Sequence, residues 1–206
     1  GLLMLPLTAG MMITSIGSGF MISHFGRYRI YPIIGTAITT ATLAWMTMIK
    51  VEMSMWLFGS MIFALGLGLG LIMQTIVIAV QNDVSPAEVG VATAENNFFR
   101  EIGGALGTSL FGALFTGRLA NQLSNVISKT GHSSGLTSDS SLTPKLVAHL
   151  PAGAKTEVID AYAHALAPSF WYLVPLSALA FVASLFMRNK TLSTQAGLTA
   201  QGQKIT

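Results

Sequence analysis

The sequence predicts an all-α bundle of membrane-spanning helices, and three observations carry that prediction. Of 206 residues, 51% are hydrophobic and only 9% are charged, against about 25% charged in a typical water-soluble domain. So few charges cannot cover a surface in water. Second, the apolar residues fall in five unbroken runs of about 20 residues, the length that crosses a hydrocarbon core roughly 30 Å thick. Third, these runs do not alternate every second residue, as the strands of a membrane barrel do. An unbroken run in lipid satisfies its own backbone groups only as a helix.

The five spans are expected at residues 2–23, 31–49, 55–80, 86–117 and 168–187. The links "SHFGRYR", "KVEMS" and "QNDVS" are short, so the first four spans run antiparallel to their neighbours and form one unit over 1–118. The fourth span starts at a capping box, "SPAE". Ser85 caps, Pro86 suits the first helical position, and Glu88 reaches back. A helix over 86–117 is 32 residues long, roughly 48 Å, so about a third of it projects beyond the hydrocarbon. The inner boundary then falls near Phe98, which leaves Glu95 outside and Arg100 and Glu101 about one turn inside. Residues 119–167 read as an extracytoplasmic loop. Its first part, 121–144, is rich in Ser, Thr, Asn and Gly and is expected to be irregular. Its second part, "AKTEVIDAYAHAL", places Val158, Ile159, Tyr162, Ala165 and Leu166 on one face of a short amphipathic helix on the membrane surface. In the last span Pro175 is expected to kink the helix. The tail, 188–206, is polar and expected to be disordered. No charged segment precedes the first apolar run, so the chain reads as the C-terminal part of something longer.

Charge sets the orientation. Arg27 and Arg29 in the first link, and Arg188, Lys190 and Lys204 in the tail, fall on one side of a five-span chain. The positive-inside rule makes that side cytoplasmic. The net charge of +3 is scattered, and no nucleic-acid partner is expected. With no Cys, thiolate metal sites and disulfides are excluded. His24, His132, His149 and His164 lie in loops without metal-ligand spacing. No catalytic cluster stands at membrane depth, so an enzyme is not expected.

The site candidates are the polar groups that lipid makes costly. Asn96, Asn97, Arg100 and Glu101 gather at one end of the fourth span. Two readings stand: Arg100 snorkels to the headgroups while Glu101 stays wet, or the cluster faces another helix or cavity and holds a gate. Gln74 in the third span needs a packing partner or a ligand. Gly103-x-x-x-Gly107, with Gly104, and the run Gly66, Gly68, Gly70 allow close backbone approach. A dinucleotide-binding reading of that run fails, because Leu71 follows and no strand–turn–helix unit surrounds it. The 11 methionines serve as packing or as adaptable contacts for apolar ligands.

Two stretches resemble a known family. "GFMISHFGRYR", from Gly19, is similar to the G-x-L-x-D-R-x-G-R-[RK] loop of major facilitator superfamily transporters. It shares Gly19, Gly26, Arg27 and Arg29 and departs at Ser23 and His24, where the motif has Asp and Arg. "DVSPAEVGVATAENNFFREIGGALGTSLFGAL" resembles the next-to-last helix of the fourteen-helix drug:proton antiporter branch at Gly90, Ala92, Asn97, Arg100, Ile102, Gly103, Gly104, Ala105 and Gly107. The resemblance implies five membrane helices of a C-terminal six-helix domain. The third would line the central cavity, the first and fourth would face the other half, and the second and fifth would lie outside. It implies proton-coupled efflux of hydrophobic or cationic compounds in a cell (inner) membrane, with the C-terminus cytoplasmic. Arg100, Glu101, Asn96, Asn97 and Gln74 would serve transport and gating, and Gly66, Gly70, Gly103, Gly104 and Gly107 a moving helix contact. Arg27 and Arg29 would hold topology or latch onto Glu95 or Asp83. The partners implied are the bilayer, small hydrophobic substrates and the missing N-terminal half; no cofactor beyond a proton gradient is implied. The alternatives are a non-transporting membrane scaffold or sensor, and a carrier of another small solute.

Overall fold

The computed structural model describes residues 4–50, 53–130 and 152–187. They form six helices and no strand: α1 (Leu5–Phe25), α2 (Ile30–Met46), α3 (Met55–Asp83), α4 (Val89–Thr130), α5 (Ala152–Phe170) and α6 (Leu173–Leu185). Three stretches, Leu5–Phe25, Met55–Asp83 and Asp160–Leu185, are long and apolar enough to cross a membrane, and α2 is a shorter apolar helix of 17 residues. The corresponding stretch of α4 is diluted by Gly103, Gly104, Gly107, Thr108, Ser109 and Gly112. Large apolar side chains stand open on the outside, Trp56 at 89% exposure and Phe20 at 75%. Such a surface suits acyl chains and not water.

The alternation of glycine in α3 explains the centre of the fold. At 100° per residue, Gly66 and Gly70 lie about 40° apart on one face, and Gly68 lies about 200° from Gly66. Small residues at every second position therefore cut two grooves on opposite sides of one helix. α1 lies in the first groove, where a Cβ on Gly70 would come 2.5 Å from the Met11 carbonyl oxygen and one on Gly66 would strike the Leu7 carbonyl. α2 lies in the second, where a Cβ on Gly35 would meet the Gly68 carbonyl oxygen at 2.8 Å. The backbones touch on both sides, so dispersion contact is gained around Gly66, Gly68 and Gly70.

Hydroxyls in this block bond along their own helices. Thr36 Oγ1 donates to Pro32 O at 2.7 Å and Thr75 Oγ1 to Leu71 O at 2.7 Å, which satisfies groups that are otherwise costly to bury. Thr36 also meets Ser184 Oγ at 3.2 Å, tying α2 to α6. At the loop end of α1, Ile22, Tyr28 and Tyr31 form a buried cluster against Leu71, Ile78, Ala79 and Met187.

Two expectations are corrected. The helix expected over 86–117 starts and ends later; α4 runs from Val89 to Thr130, through the first ten residues of the stretch expected to be irregular. Leu119, Leu123, Val126 and Ile127 recur at helical spacing there, a pattern the Ser and Asn content obscured. The rest of that stretch, and the tail 188–206, lie outside the described residues. The last span is also broken earlier than Pro175. α5 ends at Phe170, and Trp171 and Tyr172 form a turn, with Trp171 N–H bonded to Pro168 O at 3.3 Å. A proline ring clashes with the carbonyl four residues back, which for Pro175 is that of Trp171. The break sits there, and Pro175 lies in the first turn of α6, where its missing N–H costs nothing. The helix expected over 155–166 is part of α5, with Ala161 and Ala165 buried. It packs on the far half of α4, where Phe170 lies 5.5 Å from Phe111 and Tyr162 lies 6.1 Å from Phe115, ring centre to ring centre.

Candidate functional site

The first candidate is a groove along α1 and α3. Ser15, Gly19 and Ser23 follow one another at every fourth residue of α1, so they form one small polar stripe. With Ile16 and Phe20 they line a laterally open cavity of about 410 Å³, and Gln74 of α3 forms its other wall. The groove is fixed from below: Ser15 Oγ donates to Gly70 O at 3.2 Å, across the glycine contact. Gln74 is half-buried and makes no hydrogen bond among the described residues. Its amide presents two donors and an acceptor to the cavity.

The second candidate is the middle of α4. This helix meets α3 near its start, where Gln81 Nε2 donates to Thr93 Oγ1 at 3.2 Å, and meets α5 at its far half. Between those contacts, from Glu95 to Leu110, it is exposed except at Asn96 and Gly107, which are partly covered. Arg100 and Glu101 face each other, Nη2 to Oε1 at 3.5 Å, with side chains 45% and 78% exposed. An exposed pair at adjacent positions holds nothing in place. A Cβ added to Gly103, Gly104 or Gly107 would meet no described atom within 4 Å. Glycines that admit a close neighbour thus stand without one among the described residues, beside Asn97, Arg100 and Glu101.

The third candidate is the link between α1 and α2. Gly26 has φ of 66°, and its N–H closes α1 by bonding Ile22 O at 2.8 Å. A left-handed cap of this kind favours glycine. Tyr28 is 3% exposed, which pins the link to the core. Arg29 Nη2 donates to Leu185 O at 2.7 Å, so its partner here is the last carbonyl of α6; of the two readings of this link, topology or a latch onto Glu95 or Asp83, this contact is neither. Glu95 is exposed on α4.

Sequence reasoning missed Tyr28, Ser15 and a clasp at the other end of the molecule. There Arg118 Nη2 donates to Tyr172 Oη at 3.0 Å and its guanidinium lies 5.1 Å from the ring centre. Tyr28 had a readable signal, an aromatic between two arginines in a short link. Only half of the expected capping box forms: Glu88 Oε2 accepts from Ser85 N–H at 3.3 Å and from Ser85 Oγ at 2.7 Å, so the serine hydroxyl donates to the carboxylate and caps no helix N–H among the described residues, and α4 begins at Val89 after a turn over 86–88. Those two bonds hold its carboxyl below the usual glutamate range.

Comparison with known proteins agrees with these features. The family described as Major Facilitator Superfamily matches residues 1–108. An MFS-type transporter of Mycobacterium tuberculosis is 32% identical over 193 residues, which cover 94% of this chain and 28% of the relative. A multidrug transporter protein of Bacillus subtilis is 32% identical over 125 residues, 61% of this chain and 23% of the relative. A tetracycline resistance determinant of Streptomyces rimosus is 30% identical over 127 residues, 60% of this chain and 37% of the relative. The alignments thus span between 23% and 37% of these relatives. No solved structure matches.

Proposed function

The chain belongs to the major facilitator superfamily, and from that premise we propose that the protein exports hydrophobic or cationic compounds by alternating access, driven by protons entering the cell. It is a multi-pass membrane protein. The proposed setting is the cell inner membrane, with the C-terminus in the cytoplasm. The observation that carries the reading is the groove with Gln74 at its wall. Its volume of about 410 Å³ lies in the range of small-molecule sites, roughly 300–1,000 Å³. An apolar lining with few polar groups takes a greasy ligand, and Gln74, Ser15 and Ser23 supply the hydrogen bonds that orient it. The multidrug transporter and the tetracycline resistance determinant among the relatives support the efflux direction.

The proposal gives the residues these roles. Gln74 contacts substrate. Asn96, Asn97, Arg100, Glu101 and the glycines of α4 meet a segment of the protein that these relatives have and this chain does not span. Alternating access is relative motion across such a seam. The test is export of a fluorescent cation such as ethidium by cells making the full-length protein. Export should collapse when a protonophore is added. Export that persists under the protonophore and requires ATP would overturn the proposal.

A further inference from the structure

We propose that the link between α1 and α2 holds the phosphate of an anionic phospholipid. A cavity of about 300 Å³ opens there, lined by Arg27, Arg29, Ile30 and Ile33. It is separate from the groove at Gln74 and does not depend on transport.

Three observations build the site. The backbone that carries the two cations is fixed, and one of them is tethered. The Gly26 cap and buried Tyr28 fix the link, and Arg29 is tethered through Nη2 to Leu185 O at 2.7 Å. The tether leaves donors unused: Arg29 Nε is buried and has no acceptor among the described residues, and the Arg27 side chain is exposed. Nε is closed off from the cavity, so the phosphate is taken by the guanidinium face of Arg29 that lines the cavity together with the exposed Arg27, in the charge-assisted geometry arginine favours. The third observation selects the source of the phosphate. The remaining wall is isoleucine, and Ile30 and Ile34 continue it outward at 56% and 42% exposure. A free phosphate ion gains nothing from that wall, whereas a lipid lays its acyl chains along it. The size agrees, being ample for a headgroup and at the lower limit for a drug-sized ligand. Basic residues just outside a membrane helix attract anionic lipid, each by about fivefold near the surface.

The test uses the full-length protein in detergent and native mass spectrometry. Titration with phosphatidylglycerol and with phosphatidylcholine should give a bound anionic lipid at least tenfold tighter. Arg27→Gln leaves the Leu185 contact in place and should weaken phosphatidylglycerol about fivefold while phosphatidylcholine stays unchanged. Arg29→Lys keeps the charge, loses the planar fork and should weaken it by a similar factor. Equal binding of the two lipids, or undiminished phosphatidylglycerol binding in Arg27→Gln, would overturn the site. If millimolar inorganic phosphate displaces the lipid from the wild type, the site takes free anions and the lipid assignment is wrong.

Discussion

Gly70→Ala is the sharpest probe of the fold, because its consequence is set by backbone atoms that cannot turn aside. The new Cβ would stand 2.5 Å from the Met11 carbonyl oxygen, where ordinary contact starts at 3.4 Å, so α1 and α3 must part by about 0.9 Å. A gap of that size forfeits roughly a quarter to a half of each dispersion well across the contact, and overpacking of this kind costs about 1–3 kcal/mol. Parting also stretches the Ser15 Oγ bond to Gly70 O beyond its present 3.2 Å, and a hydrogen bond between membrane helices is worth about 0.6 kcal/mol. Alanine returns up to about 1 kcal/mol of helix propensity. The net expectation is a loss of about 1–2 kcal/mol. Gly59→Ala is the control: it lies on the same helix, and its Cβ would meet nothing within 4 Å, so only the propensity gain remains. Unfolding of the full-length protein by denaturing detergent, followed by tryptophan fluorescence, reads both variants. Equal stability of Gly70→Ala and the wild type, or equal destabilisation by the two variants, would refute the packing argument.

Replacing Gln74 by Leu removes the hydrogen-bonding group of the groove; dye export should fall about tenfold while the amount of protein in the membrane, read by blotting, is unchanged. Ser85→Ala should raise the titration of Glu88 back toward its ordinary value of 4.5, as followed by NMR of labelled glutamate. The Glu88 value is lowered in the fold, so its contribution is complete above pH 4.5 and is lost as pH falls through the folded value; amide exchange at residues 86–92 should quicken over that acid window and not above it. Tyr172→Phe loses the Oη bond to Arg118 but keeps the ring under the cation, and should cost less than about 1 kcal/mol. Tyr172→Ala loses both and should cost more, read in the same unfolding assay.

The run "ALGLGLGL" already contains both grooves of α3, because helical geometry alone sends Gly68 to the side opposite Gly66 and Gly70. Gly26 was legible in the motif for the same reason, since a link that short needs a left-handed cap. The capping glutamate followed from spacing. The break at Trp171 was legible in principle: the rule that a proline disturbs the carbonyl four residues earlier, applied to Pro175, gives its position. What stayed hidden depended on residues distant in sequence. Nothing near Arg29 points to Leu185, 156 residues away, and nothing near Arg118 points to Tyr172. The helix through 118–130 was hidden for a different reason, because polar composition masked an apolar stripe. The open middle of α4 was the least legible feature, since a glycine pattern states that a close neighbour is admitted and not which chain segment supplies it.

The two glycine sets in this chain are chemically alike and structurally opposite, and that contrast assigns the moving parts. Around α3, glycine backbones touch on both sides and Ser15 bonds across one of them. Sliding there would break contact among three helices at once, so in the proposed transport cycle α1, α2 and α3 would move as one body. On α4, a Cβ on Gly103, Gly104 or Gly107 meets no described atom within 4 Å, next to a weak Arg100–Glu101 pair, so the partner proposed for this face could leave without dismantling the bundle. The consequence is a reversal of order between the two sites. Bulk at Gly70 should lower stability first, with export falling only as the protein unfolds. Gly107→Leu should leave stability unchanged or raise it by up to about 1 kcal/mol of helix propensity, and lower export severalfold, because the leucine blocks the seam and not the fold. Wild-type export in Gly107→Leu, or unfolding as easy as in Gly70→Ala, would place α4 outside the moving contact.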